Sequence, residues 1–178
     1  MASSQIFEKN KKKWVDKWVD LVIDTYPQES GTFFKETNDP FANPVGATLK
    51  RGLNELYDIL VAPKFDRDAA RQALDPVVRL RAVQDFSPAG AIGFLFELKR
   101  ILAEDLEKPR AREKDIDEKK AVIDSRIDES LLMAFDLYMD CKRKVYELRA
   151  NQARDSVRQL LIKKGLVSEL PETDPELK

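Results

Sequence analysis

The residue types that most often carry enzyme chemistry are scarce in this sequence. Its 178 residues include no histidine and one cysteine, Cys141. Without histidine there is no imidazole to act as a general base, to activate a serine or cysteine, or to bind a metal or haem iron. One cysteine cannot build a thiolate zinc or iron–sulfur site. Any catalysis would have to use carboxylate, lysine or tyrosine side chains.

The carboxylates do not form a recognisable catalytic group either. Aspartate and glutamate are so abundant that pairs four residues apart arise by chance. Glu97 is the acid expected nearest to the core, and we expect it to be partly exposed beside Arg100 or Lys99. The six glycines are scattered and form neither a dinucleotide-binding loop nor a Walker loop. The sequence therefore predicts a protein that is not an enzyme, with no catalytic residue, no cofactor and no metal site.

The balance of charges excludes another class of function. The 31 basic residues nearly equal the 32 acidic ones, which is typical of a solvated helical surface, whereas a nucleic-acid-binding protein more often has a basic excess. No segment approaches the roughly 18 consecutive apolar residues that a membrane span needs. A single cysteine rules out an intramolecular disulfide, and we predict a cytoplasmic protein.

Two groups of residues are candidates for contacts. The first is polar, and it either forms an interaction surface or, as we prefer, a structural network that fixes the turn into the next helix: Arg79, Arg81, Gln84 and Asp85. Within it, Arg81 and Asp85 have the spacing of an ion pair on one helix face. The second group is an apolar line on the last helix, predicted to pair with a second chain: Tyr138, Val145, Leu148, Val157 and Leu160.

These candidates must be positioned by the apolar stretch from Arg79 to Leu102. Ser87 is suited to cap a helix, and Pro88 suits the first helical position. Apolar side chains then point in nearly every direction, Phe96 among them. A helix that is apolar all round is buried by several neighbours, so the stretch predicts the central helix of an all-α domain.

The segments before it predict further helices. A first helix is expected over residues 5–26, and a second over residues 44–61. Between them, residues 27–44 are predicted to be a loop that folds back onto the core through Phe33, Phe34 and Phe41. Asp66 should cap a short helix to Leu74, and Asp75 with Pro76 should begin another.

The last helix is predicted to be unusually long. Residues 113–164 contain neither glycine nor proline, and apolar residues from Ile127 to Leu148 follow heptad spacing. Further apolar residues, Leu132, Phe135, Met139 and Tyr146, are expected to widen the core-facing surface. Fifty helical residues would span about 75 Å, so the helix either breaks near Asn151 or, as we favour, projects and pairs with another chain.

Three segments of the sequence form a distinctive set: WVDKWVDLVIDTYP, FANPVGATLKRGLNELYDIL and DPVVRLRAVQDFSPAGAIGFLFELKRIL. Together they resemble a known family, the N-terminal domain of the RsbR and RsbRD proteins, which are co-antagonists of the stress-signalling kinase RsbT. The resemblance spans about residues 10–108. It implies a haem-free, globin-like helical bundle and a homodimer whose last helix continues towards an output domain. We expect a sensor domain over residues 1–150, with a projecting helix end and mobile tail over 151–178.

The resemblance also implies a function. We expect a non-enzymatic regulatory or sensory module with a protein partner in signalling. The full co-antagonists carry a phosphorylated STAS domain, whereas we expect this chain to be either a stand-alone relative or the sensory half alone, so the resemblance assigns it no output through such a domain. The alternatives are an accessory subunit that docks on a larger complex through its last helix, and a small-ligand carrier. The carrier would use a pocket among aromatic residues near Glu97: Trp18, Phe41, Phe94 and Phe96.

Overall fold

The computed structural model describes residues 2–37, 39–84, 86–106 and 114–166, without the side chains of 2–4 and 114. These residues form helices and no β-strand, which confirms the predicted all-α class. The described helices are α1 (Ala2–Ile23), α2 (Gln28–Glu36), α3 (Pro44–Val61), α4 (Arg67–Val83), α5 (Pro88–Ile92), α6 (Phe94–Leu106) and α7 (Lys114–Lys163). Among them, no helix combines the length and apolar character that crossing a bilayer demands.

The chain divides into two compact units, Met1–Cys141 and Lys142–Lys178. The first unit contains the hydrophobic core, to which α1, α3, α4, α5, α6 and the first half of α7 contribute buried side chains and α2 contributes the half-buried Phe34. The second unit is described as far as Leu166, and most of the tail that was expected to be mobile lies outside the described residues. The helix ends as predicted at Gly165, whose φ of 68° is the left-handed conformation common after a helix C-terminus.

The contact between α1 and α6 is built on two tryptophans. The indole N–H of Trp18 donates to the carbonyl oxygen of Phe94 over 2.6 Å, and that of Trp14 donates to Asp105 Oδ2 over 2.8 Å. Both indole rings are buried, and a buried indole N–H needs such a partner. These two bonds fix the buried side of α1 against α6.

Helices α3 and α4 cross closely at a glycine. A Cβ atom built on Gly52 would lie 2.5 Å from Val77 Cγ2 and 3.1 Å from the carbonyl oxygen of Ala73.

The predicted bounds of α3, residues 44–61, are confirmed. Its first turn is capped by Asn43, whose buried side chain accepts from the Gly46 N–H and donates to the carbonyl oxygens of Phe34 and Thr37.

The prediction of a loop over residues 27–44 is wrong for its first part, which forms helix α2. Residues with low helix propensity occupy this segment, so its sequence pattern predicted a loop. Tertiary contacts support the helix: Gly31 is buried against Ile23, and Phe34 packs edge-on against Tyr26. The predicted return of all three phenylalanines to the core is also wrong, because Phe41 is 97% exposed.

The predicted break at Asp75 and Pro76 does not occur. Asp66 caps the helix as predicted, accepting from the Ala69 N–H, but α4 then continues through Pro76 to Val83. Proline removes one backbone hydrogen bond from a helix. The buried stripe of α4 nevertheless continues on both sides of the proline, so packing against the core outweighs the local signal: Ala70, Ala73, Leu74, Val77, Val78 and Ala82.

The central stretch begins as predicted but is divided. Ser87 Oγ accepts from the Gly90 N–H over 3.1 Å, and Pro88 is the first helical residue. The chain then separates α5 from α6 at Gly93, where an added Cβ would lie 2.7 Å from the carbonyl oxygen of Ala89. The expectation that Phe96 is buried is wrong, since 52% of it is exposed.

Helix α7 is continuous through Asn151, so the alternative of a break there is wrong. Its first half is fastened to the end of α3 by Arg126. The guanidinium donates to the carbonyl oxygens of Leu60 and Ala62 over 2.7 and 2.6 Å, and to that of Pro63 over 3.2 Å. These carbonyls lie at a helix C-terminus, where backbone acceptors lack partners within the helix.

The crossing at Gly52 leads to a test of the packing. Gly52→Ala should lower the free energy of unfolding by about 1–3 kcal/mol, because the methyl group displaces Val77 from a close-packed contact. Urea unfolding followed by circular dichroism measures the change. Gly31→Ala is the matched control, since its nearest neighbours lie at 3.5 and 3.7 Å, and it should be neutral or stabilising by up to about 1 kcal/mol. Equal effects of the two substitutions would contradict this account.

Candidate functional site

Arg81 joins three elements at one corner of the first unit. It lies in the last turn of α4 and is fully buried. Its Nη2 donates to Thr25 Oγ1 over 3.0 Å and to the carbonyl oxygen of Gly90 over 2.9 Å. The guanidinium thereby links the end of α4 to the turn after α1 and to α5. We call this region the Arg81 corner.

Aromatic rings enclose the guanidinium. Its carbon Cζ lies 4.1 Å from the centre of the Phe86 ring and 5.3 Å from that of Tyr26. Tyr26 also packs edge-on against Phe86 and Phe34, with ring centres 5.2 and 5.4 Å apart. A cation held against aromatic faces gains about 2 kcal/mol when it is shielded from water. These rings therefore offset part of the penalty for burying the charge.

The corner leaves polar atoms unsatisfied. Nε and Nη1 of Arg81 and the hydroxyl of Tyr26 are buried without a hydrogen-bond partner. Burial lowers the pKa of Arg81, and the nearby Tyr26 partly opposes this effect. Burial likewise raises the pKa of Tyr26, with Arg81 acting against it. The guanidinium and the phenol hydroxyl are both hydrogen-bond donors.

A cavity of about 400 Å³ adjoins these aromatic rings. Its walls come from the α1–α2 turn, from α2 and from the segment after α4: Tyr26, Pro27, Ser30, Phe34, Gln84 and Phe86. We call it the aromatic cavity. Sequence reasoning did not single out Tyr26 or Phe86, since a tyrosine before a proline and a phenylalanine before a helix cap are ordinary core residues. The tertiary contact of both rings with Arg81 identifies them.

The four polar residues of the first predicted group do not share one surface. Arg81 is buried, whereas Arg79 is exposed and its Nε lies 2.6 Å from Asp75 Oδ2. Gln84 is the C-terminal capping residue of α4, with its N–H bound to the carbonyl oxygen of Arg81. Asp85, and with it the expected Arg81–Asp85 pair, lies outside the described residues.

The second predicted group, on α7, is likewise divided between buried and exposed positions. Tyr138 is buried in the first unit, where its hydroxyl donates to the carbonyl oxygen of Phe86 over 2.7 Å. Val145 is half-buried. The other three members, Leu148, Val157 and Leu160, are exposed in the second unit. Of the predicted group, only these three present large exposed apolar surface.

The structure exposes several apolar residues of α7 that the sequence predicted to face the core. Leu132 is 67% exposed, Met139 48% and Phe135 43%, and Tyr146 in the second unit is exposed as well. The expectation that these residues face the core is wrong. At 3.6 residues per turn, Leu132 and Met139 lie on the side of α7 opposite Ala134 and Cys141, which are buried. Heptad-like spacing on α7 therefore does not distinguish its two apolar faces, one of which is buried and the other exposed.

An exposed aromatic residue lies on the neighbouring helix α6. Lys99 Nζ lies 2.5 Å from Asp128 Oδ1, which joins α6 to α7. Phe96, which is 52% exposed, lies one turn before Lys99, and Leu132 lies one turn after Asp128. We call the set Phe96, Leu132, Phe135 and Met139 the outer patch.

The aromatic pocket predicted for a small-ligand carrier is not formed. Trp18 and Phe94 pack against each other in the core, whereas Phe41 and Phe96 are exposed. Glu97 is half-buried and paired with Arg100, as expected. Cys141 is buried.

A larger cavity of about 660 Å³ lies where α1, the end of α3 and the start of α7 meet. Two of its charged side chains are already engaged: Arg126 binds three carbonyl oxygens, and Asp58 pairs with Lys11. Burial lowers the pKa of Lys119, whose ammonium lies over the Phe7 ring. Across the described part of the chain, no cluster of three or more acidic or thiol side chains is arranged for a metal ion.

Comparison with known proteins gives two similarities. The sequence profile of one family, described as the RsbT co-antagonist protein rsbRD N-terminal domain, matches residues 12–153. The chain is also similar to an uncharacterized protein of Archaeoglobus fulgidus, with 25% identity over 148 residues that cover 80% of this chain and 84% of that relative. No solved structure matches. The matched range includes both the Arg81 corner and the α7 residues of the outer patch.

The contacts of Arg81 predict that lysine cannot replace it. Arg81→Lys should lower the free energy of unfolding by about 1–3 kcal/mol, because an ammonium keeps the charge buried but loses the planar stacking on Phe86 and one of the two Nη2 hydrogen bonds. Thermal unfolding followed by circular dichroism measures the loss. Arg79→Lys, two residues earlier on the exposed side of α4, is the control and should change stability by no more than about 0.5 kcal/mol. A harmless Arg81→Lys would refute the structural part of this assignment.

Proposed function

This chain belongs to the family of RsbT co-antagonist rsbRD N-terminal domains, and we propose that it is a non-enzymatic regulatory module that works through protein contacts. The observation that carries the proposal is the outer patch, where one chain exposes large apolar side chains on a helical surface. Large exposed apolar patches commonly mark interaction sites. The lack of histidine in the whole sequence supports the non-enzymatic part.

The occupant we propose for the outer patch is a second copy of the chain. Leu132, Phe135 and Met139 recur at intervals of three and four residues, the spacing with which helices pack side by side. Two such faces pair with each other around a twofold axis, in which the same patch serves both subunits. The homodimer implied by the family resemblance is thereby given a specific surface.

The second unit supports the same proposal independently. Its helical part buries few of its side chains, and Val157 and Leu160 are exposed beside Arg154 and Arg158. A single helix in water gains little stability of its own, and most helical stability comes from packing of an apolar face. An apolar stripe with charged flanks is also the pattern of paired helices. We infer that Val157 and Leu160 are covered by the partner chain.

The remaining parts of the proposal follow from the family. We infer a haem-free, globin-like arrangement of the helices in the first unit, action in the cytoplasm, and a further protein partner in stress signalling. The all-α structure and the family membership support this role. The regulatory output is proposed to pass along α7, since this helix contributes both to the core and to the exposed apolar surface.

The dimer has a direct test. Light scattering coupled to size-exclusion chromatography at tens of micromolar should report twice the 20.4 kDa mass of the chain. The double variant Leu132→Glu, Met139→Glu should report the mass of one chain, because two glutamates from each copy would meet across the contact without solvent. Its helical circular dichroism should be retained, since both side chains are already exposed.

Gln72→Glu is the matched control, because it places a glutamate on an exposed position of α4 outside the outer patch. This variant should remain dimeric. A monomeric wild-type chain would refute the homodimer, and a double variant that stays dimeric would refute the outer patch as its surface.

A further inference from the structure

The Arg81 corner has the composition of a site for an anion. A fully buried guanidinium there has two nitrogen atoms, Nε and Nη1, without a hydrogen-bond partner. No aspartate or glutamate among the described residues lies within ion-pair distance of it. Buried charges in proteins are normally paired, because an unpaired buried charge is strongly destabilising. The two cation–π contacts do not supply acceptors for these N–H groups.

A second unsatisfied donor lies beside the first. The Tyr26 hydroxyl interacts with Arg81, but it is buried without a partner at full hydrogen-bonding geometry, and its ring centre is 5.3 Å from Arg81 Cζ. The two groups therefore offer several N–H donors and one O–H donor to a shared region. A carboxylate accepts hydrogen bonds through both of its oxygens and carries the charge that would neutralise the guanidinium.

The adjoining cavity specifies the rest of the ligand. Three aromatic rings contribute to the walls of the aromatic cavity, those of Tyr26, Phe34 and Phe86, and its lining contains no ionised side chain. Its volume of about 400 Å³ falls in the range of small-molecule sites. Such walls favour an apolar or aromatic body over a sugar or a phosphate ester.

We propose that the aromatic cavity binds a small organic acid, with its carboxylate against Arg81 and Tyr26 and its apolar body between Phe34 and Phe86. Arg81 does not itself line the cavity, because the Phe86 ring covers the guanidinium at 4.1 Å, so the proposed binding requires this ring to turn aside. Phe86 is half-buried and lies between the end of α4 and the cap of α5, where no helix constrains it. This inference goes beyond the regulatory role and does not depend on the homodimer.

The test compares an acid with its neutral analogue. Phenylacetate should raise the Tm of the full chain by about 2–5 °C at concentrations far above its Kd, because it binds the folded state alone. Phenylacetamide has the same shape without the charge and should raise the Tm by less than a quarter as much. Equal shifts with the two compounds would overturn the proposal, as would no shift with phenylacetate.

A cavity-filling variant locates the effect without altering Arg81. Ser30→Trp places an indole in the aromatic cavity and should weaken phenylacetate binding at least tenfold by isothermal titration calorimetry. Thr32→Trp, on an exposed position of the same helix, is the matched control and should leave the Kd within twofold of wild type. Retained binding in Ser30→Trp would overturn the assignment of the site.

A third variant tests whether the chain supplies its own anion. Asp85 follows Arg81 by four residues in the sequence. Asp85→Asn should change the Kd for phenylacetate by less than threefold. Binding that becomes more than tenfold tighter would show that Asp85 normally occupies the guanidinium, and this result would overturn the proposal. Light scattering of the same samples reports the dimer separately, so failure of one proposal does not count against the other.

Discussion

Helix α7 carries apolar side chains on opposite faces, and the described part of the chain covers only one of them. The inner face, with Ala134, Tyr138 and Cys141, completes the core of the first unit. The outer face, with Leu132 and Met139, is exposed, and none of the described helices of the same chain covers it. Apolar area in water is unfavourable in proportion to its size. The proposed association follows from this constraint, since a second copy brings an identical face of suitable spacing.

The Arg81 corner presents the complementary problem of a charge inside an apolar environment. The side chain organises the junction of α1, α4 and α5 by binding Thr25 and Gly90. An apolar residue of similar volume would fill the same space without the penalty of desolvation, and such replacements are often stabilising in other proteins. A buried arginine with unmet donors is therefore explained better by what it can bind than by packing alone. The two surfaces lie on different helices, which allows ligand binding and chain association to be separated experimentally.

Sequence patterns predicted the structure correctly where the hydrogen bonds join residues that are close together in the chain. The caps at Asp66 and Ser87, the start of α3 at Pro44 and the stop at Gly165 are all present. Their hydrogen bonds join groups no more than about four residues apart, so sequence proximity is enough to find them. Local signals failed at Pro76 and over α2, because packing against distant helices decided the outcome there.

The sequence by itself determined the all-α class, the long final helix, the absence of histidine chemistry and the family. Only the tertiary structure decided which apolar residues of α7 are buried, because a heptad pattern cannot distinguish a face that meets its own core from one that meets water. It also decided that Arg81 turns inward while Arg79 turns outward, although both are arginines two residues apart on one helix. The physical reason is the same in each case: the side of a helix that is covered depends on where its neighbours lie.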